Sequence, residues 1–532
     1  MAIGAPSESP AIIVKEVDLT GGVPNVQSTT GAFAGSFRWG PMEEATLVDN
    51  EATLASTFGA PDNSHAVDFH TAASFLRYSS SLQVSRIADS GALNSVDSGT
   101  AALIKNDDAW DDGTWTGTVF AKHPGTLGNS LKVQVAGPVS WATAGASFQA
   151  QFDGAPTGTE RHVLITDEDG VITGTSGTIL ERYSYVSSSS SATLADGSTN
   201  YEKDVINRGS NYVRINDALD SNGSYSLASG ADGTRTTGNI QSALDVFNDK
   251  DIIQVDFMIA PGMTTATDQE TIVDDMVTTA GTTRKDCVVV TSPAKNSVVG
   301  TSTPVTDTVS DVADYTYSSY LFVDNNWLKV YDKYNDKYIY IPASGSTAGI
   351  MAASDANTAP WFSPAGSRRG AYLGVTALAY TPTKAERDTL YKAGINPIAN
   401  LPGQGILLYG DKTHMNRPSA FDRINVRRLF NVMERAIALA ARNTLFELND
   451  EFTRAEFVNI VEPFLREIKG RRGITDFRVV CDETNNTPAV IDRNEFIANI
   501  FVKPARSINY ITLNFVAVRT GVDFEEVAGL SV

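Results

Sequence analysis

The spacing of apolar positions changes character several times along this chain, and each change marks a predicted element. Near the start, Ala11 to Val17 (AIIVKEV) is a short β-branched run between prolines and a Thr-Gly-Gly break, which predicts an isolated strand. Such a strand cannot satisfy its own backbone groups and has to pair elsewhere in the fold or on another chain. Gly31 to Pro41 (GAFAGSFRWGP) reads as a strand ending in a turn. Glu51 to Phe58 and Val67 to Tyr78 have helical spacing, and Leu82 to Ala88 alternates as a strand. The order strand, helix, helix, strand predicts an α/β layer.

Between Ser90 and Asn200 turn residues are dense, strands such as Leu131 to Val135 and His162 to Thr166 are short, and Ser187 to Ser191 is a serine run. This texture predicts an inserted all-β domain with a flexible tip. The helical period returns from Tyr201 to Ser292. Helix Thr237 to Phe247, strand Ile252 to Ile259, helix Asp268 to Ala280 and strand Cys287 to Thr291 form a pattern typical of a parallel layer. Residues 293–365 are rich in Thr, Ser, Asn and Tyr and close with APWFSPAGSRRG.

The last part is the most decisively patterned. Ser419 with Asp422 resembles a capping box opening a helix with Val426, Leu429, Phe430, Met433, Ile437 and Ala440 apolar. Thr453 with Glu456 is a better capping box, ahead of Phe457, Ile460, Val461, Phe464, Leu465 and Ile468, and Pro463 should kink that second helix. Strands are predicted at Phe477 to Cys481, Phe496 to Val502 and Ile508 to Arg519, and the tail holds one more strand-like piece, VDFEEV.

Composition narrows the class. A chain of 532 residues has room for about three or four domains. Its 42% apolar and 20% charged content excludes wholesale disorder. Apolar stretches such as Ile12 to Val14, Val288 to Val290 and Ile406 to Tyr409 are a few residues long, against the roughly 20 needed to span a bilayer. The N-terminus lacks the basic and apolar regions of a secretory signal. Cys287 and Cys481 sit in apolar strand-like runs and read as buried free thiols from a reducing compartment. The formal net charge of −20 argues against nucleic-acid binding, which needs a surplus of Lys and Arg. That charge is uneven. Residues 1–365 carry 20 basic and 43 acidic side chains, whereas 366–532 carry 22 and 19.

Searches for catalytic chemistry return nothing. No phosphate-cradling GxxxxGK[ST] or GxSxG elbow occurs, and Gly403 and Gly405 mark a turn. His65 and His70 are five apart, a spacing that does not share a helix face. Asp107, Asp108, Asp111 and Asp112 hint at a calcium loop, but Trp110 takes a ligand position and no Glu closes it, so a solvated loop is expected. Carboxylate pairs for glycoside hydrolysis are set in space, and nothing recommends one. No catalytic residue, metal ligand or cofactor is assigned. On the helix after Ser419, Arg428, Arg435 and Arg442 recur every seven positions as one stripe, with Arg423 and Arg427 beside it. Within 428–442 only Glu434 is acidic, so the stripe is not laced by i,i+4 pairs and would suit an acidic partner.

Taken in order, the motifs resemble the tail sheath proteins of contractile-tailed (myovirus-type) bacteriophages. The resemblance is carried by SPAIIVKEVDLT, by GAFAGSFRWGP with TFGAP (Thr57 to Pro61), and by DVINRGSNYV (Asp204 to Val213). It is strongest in NPIANLPGQGILLYGDKT (Asn396 to Thr413), followed by the arginine helix, the VEPFL helix, RVVCDETNN and FIANIFVKPARSINYITLNF. It is clear over 1–90 and 370–532, patchy over 201–365 and absent over 100–200.

The resemblance implies a multidomain α+β or α/β chain with a discontinuous core from both chain ends and inserted β-rich and α/β domains. The division is an arm at 1–20, core at 21–90, a β-rich outward-facing domain at 91–200, an α/β domain at 201–365, core again at 366–518 and an arm at 519–532. It implies strand-donating arms at Ile12, Ile13, Val14, Lys15, Glu16 and Val17 and at Val522, Asp523, Phe524, Glu525, Glu526 and Val527. Arg428, Arg435 and Arg442 become candidates for a tube-facing surface. The implied partners are other copies of the chain in a helical homopolymer, the tail tube protein, and baseplate and tail terminator proteins, with no direct nucleic-acid contact and no membrane insertion. The implied location is the virion, after assembly in the host cytoplasm. Two rivals stand beside this reading: another self-assembling virion or surface-layer subunit, and a carbohydrate-active enzyme using Trp110, Trp115, Trp327 or Trp361.

Overall fold

A computed structural model of the chain describes residues 28–508. Its centre is a six-stranded sheet with the spatial order Leu321–Val323, Val288–Thr291, Phe257–Ile259, Gly31–Gly35, Leu82–Arg86, Thr46–Val48. Neighbours are parallel except Thr46–Val48, which runs antiparallel at the edge. Parallel strands are covered on both faces and therefore read as near-continuous apolar runs. GAFAG and VVVT are buried at every position.

The period of two sorts these strands between two cores. Phe33, Val84, Phe257, Ile259, Val290 and Phe322 point to one side, where Phe69 and Phe75 of helix Ala66–Leu76 and Ile350 and Met351 of helix Ser344–Asn357 cover them. Ala32, Ala34, Met258, Val289 and Leu321 point to the other, against Ile240, Ile272, Met276 and Val312 of helices Thr237–Asp245, Ala266–Thr278 and Pro304–Ala313. The helix Ser344–Asn357 comes close to its neighbour because Gly345 faces the Thr71 carbonyl, where a Cβ would lie 2.3 Å from the oxygen.

This sheet redraws the expected division. Residues 21–90 were assigned to a core shared with 366–518, but Gly31–Gly35 lies between Leu82–Arg86 and Phe257–Ile259, with Gly31 opposite Phe257. The segment expected to be a separate α/β domain thus completes the first one. The β-rich region also runs past residue 200. Its four-stranded antiparallel sheet, in the order Thr178–Ser187, Glu160–Asp167, Leu131–Ala136, Ser224–Ser226, takes its last strand from beyond that boundary. Ile206, in helix Glu202–Gly209, belongs to the same core.

Element boundaries shift for local reasons. The strand expected at Ile252–Ile259 keeps only Phe257–Ile259. The two C-terminal helices are Ile424–Ala441 and Glu451–Gly470. Ser419 and Asp422 form a turn ahead of the first, the Asp422 N–H donating to the Ser419 carbonyl at 3.4 Å. The second is capped by Asp450, which accepts from the Thr453 N–H at 2.8 Å, and it continues through Pro463. Asp107–Asp111 is a helical turn capped by Asn106 where a loop was expected, with Trp110 stacked on Trp115. No helix among the described residues is long and apolar enough to cross a membrane. The expected arms, Ile12 to Val17 and Val522 to Val527, lie outside the described residues, as does the strand expected at Ile508 to Arg519 except for Ile508 itself.

Candidate functional site: the arginine helix and the terminal hairpin

The helix Ile424–Ala441 turns its arginines inward. Arg428 is 4% exposed, pairs with Asp355 and donates to the Met351 carbonyl at 3.1 Å. Its guanidinium lies 5.2 Å from the centre of the Phe257 ring, and burial pushes its pKa down to about 9. Arg435 pairs with Asp256 and donates at 3.0 Å to the carbonyls of both Val255 and Asp286. Asp256 and Asp286 stand just ahead of two central strands, so Arg435 pins the helix across the entrance to the sheet. Burial raises the Asp256 carboxyl above its ordinary value, against the pull of Arg435, while its other oxygen accepts from the Thr30 N–H at 3.0 Å.

The adjacent basic edge is also consumed internally. Arg423 bonds Asp411 at 2.9 Å and the Tyr391 hydroxyl, and Arg427 lies over the rings of Tyr320 and Phe421 at 4.2 and 3.9 Å. Only Arg442 of the stripe is exposed, and it forms a surface pair with Asp251 at 2.7 Å. The expectation of a solvent-facing basic stripe therefore fails at Arg428 and Arg435. Their partners lie 73 and 179 positions away, beyond the reach of an i,i+4 test. The feature that sequence reasoning missed is the set of acids that receives them: Asp256, Asp286 and Asp355.

Beyond this helix the last elements form a small layer. Phe457, Val461, Leu465 and Ile468 of the second helix pack on Phe477, Val479, Ile500 and Val502. Those four come from the antiparallel pair Ile474–Val480 and Asn499–Pro504, which is joined by no third strand among the described residues. Among the described residues, both edges of this terminal hairpin thus keep unpaired backbone donors and acceptors. Its outer face exposes Arg478, Phe501 and Lys503.

No group of three or more metal-ligating side chains gathers among the described residues. His65 and His70 diverge, one toward Asp62 at 2.7 Å and the other toward Asp332 at 3.1 Å. Cys287 and Cys481 are free and buried, and burial pushes the Cys287 thiol up to about 12. An open cleft of about 590 Å³ is lined by hydroxyls, among them Thr278, Tyr317 and Ser318, together with Arg417, and by no carboxylate, histidine or cysteine.

Family models match most of this framework. The phage tail sheath central domain covers residues 233–414, and the phage tail sheath C-terminal domain covers 416–517. The chain belongs to the phage tail sheath family. The tail sheath protein of Vibrio phage KVP40 is 31% identical over 98% of this chain and 99% of its own length. That of Enterobacteria phage T4 is 30% identical over the same shares, and that of Salmonella phage ViI is 32% identical over 99% and 98%.

Solved sheath structures share the fold at lower identity. The sheath tail protein Lin1278 of Listeria innocua superposes with a TM-score of 0.58 at 13% identity, covering 91% of this chain and 93% of that one. The contracted helical sheath of the anti-feeding prophage gives 0.55 at 12%, covering 96% and 99%. The protein is a structural subunit of a contractile tail sheath and a component of the virion. The curated relatives are structural sheath proteins.

Proposed function

We propose that copies of this chain wind helically around a tail tube, between a baseplate and a terminator, after assembly in the host cytoplasm. Contraction of the lattice then drives the tube through the host envelope. The observation that supports the polymer is the terminal hairpin, an antiparallel pair whose two edges meet no third strand among the described residues. Residues 12–17 and 522–527 are the strands offered to such edges on neighbouring copies, where main-chain hydrogen bonds supply the affinity. A contact between two different surfaces does not close on itself and builds an open helix.

No nucleotide is needed in this scheme, since the energy is held in a lattice trapped on one side of a barrier. Of the three arginines considered for the tube, Arg442 alone is exposed. It offers a salt-sensitive contact worth about 0–1 kcal/mol, weak enough to let go.

Deletion of residues 1–17 tests the arm. The truncated chain should fold, melt as the full chain does and fail to polymerise. Long striated tubes from the truncated chain would contradict the donated strand.

A further inference from the structure

The turn between the two C-terminal helices carries a surface left uncovered among the described residues. Leu445, Phe446, Leu448 and Phe452 are 62, 104, 77 and 77% exposed. Four large apolar side chains exposed within eight residues are the kind of feature that marks an interaction site. The tip is also built to present them. Phe446 holds a φ of 71°, in the left-handed region that non-glycine residues seldom occupy, between the bonds Leu445 N–H to Arg442 carbonyl and Glu447 N–H to Thr444 carbonyl, both 3.3 Å. Its base is fastened by Asn449, which donates to the Glu495 carbonyl at 2.8 Å and accepts from Arg454 at 2.9 Å.

Charge narrows the partner. Glu447, Asp450 and Glu451 are exposed on the tip, while Arg454 is buried against Asn449 and the exposed Arg442 at its base is already paired with Asp251. Two such tips repel one another, so a symmetric tip-to-tip contact is disfavoured. The outer face of the terminal hairpin has the opposite character. Phe501, 59% exposed, stands directly across from Arg478, and Lys503 on the same face stands across from Asp476, which is paired with Lys469 at 3.1 Å; the cations Arg478, Lys503 and Lys469 outnumber that one acid. An exposed ring with a net basic rim is complementary to apolar side chains with an acidic rim. Both are exposed in one subunit, so they do not meet within it.

We propose that the tip of one copy docks on the outer face of the terminal hairpin of a second copy. This inference rests on the homopolymer proposed above, but it uses the face of the hairpin and leaves its edges to the arms. Because the two surfaces differ, the contact propagates head to tail. Four large side chains taken out of water suit a contact kept for the life of the polymer better than one that must release a tube.

The test uses the full chain. Chains carrying Phe446→Cys and chains carrying Phe501→Cys are mixed, assembled and treated with a bismaleimide; the native Cys287 and Cys481 are buried and give little background. A covalent dimer should form in the mixture and in neither variant alone. In parallel, the double variant Phe446→Ser, Phe452→Ser should melt like the parent and raise the concentration needed for assembly about tenfold or more, as loss of a central aromatic anchor does. Tubes without the crosslink, dimers from Phe446→Cys alone, a crosslink to another tail protein, or unchanged assembly of the serine variant would each overturn the docking while leaving the sheath reading intact. A parent chain that stays monomeric at every concentration would overturn both.

Discussion

Two regions of this subunit handle their hydrogen-bonding and apolar groups in opposite ways. The six-stranded sheet completes itself: helices cover both faces, and even its long-range charges are matched, as Arg435 is by Asp256 and Asp286. The C-terminal layer, from the tip at Leu445 to the hairpin at Asn499–Pro504, leaves sheet edges and aromatic rings open among the described residues. The contrast teaches that the first region is built for a fixed shape and the second for neighbours. Substitutions in the first should therefore unfold the monomer, and substitutions in the second should spare the monomer and damage assembly.

The largest effect is expected at Arg435. Replacing it with Ala leaves Asp256 buried without its cation, which should cost about 3–5 kcal/mol and lower the melting temperature of the monomer by several degrees in calorimetry. Gly345→Ala comes next. The new methyl meets the Thr71 carbonyl, and parting the two helices should cost about 1–3 kcal/mol in a denaturant titration.

Asp324 gives a pH test of the same region. It is fully buried after Leu321–Val323, accepts from the Thr347 hydroxyl at 3.0 Å, and burial pushes its carboxyl up to about 7 from 3.8. The folded state favours the protonated acid, so this group's contribution is complete below pH 3.8 and is lost as pH rises through about 7. Asp324→Asn, which cannot ionise, should gain on the parent steadily across that window; a constant difference between the two would contradict the assignment. The smallest effect belongs to Arg442→Ala. Its pair with Asp251 is exposed on both sides, and losing it should change monomer stability by no more than about 1 kcal/mol, within reach of a double-mutant cycle.

Local pattern made the elements of the first region readable and left their partners hidden. Glu51–Phe58 stands where its spacing put it, capped by Asn50. That Gly31 would pair with Phe257 is a matter of tertiary packing across 226 positions, which no local period carries. Helix Ser344–Asn357 escaped notice because it is buried nearly all round by small residues (SGSTAG), so it has no polar stripe to read. The arginine period of seven was real, but its direction was set by distant aspartates. For the C-terminal layer, the order of motifs pointed to the family, while the apolar tip passed unnoticed because Phe and Leu in a turn look like core until exposure is known.

Hydrogen exchange on the monomer and on assembled tubes tests the central contrast most directly. Amides of Ile474–Val480 and Asn499–Pro504 should slow strongly on assembly, while those of Gly31–Gly35 and Val288–Thr291, already protected, should change little. Hairpin amides that exchange equally fast in monomer and tube would contradict the account.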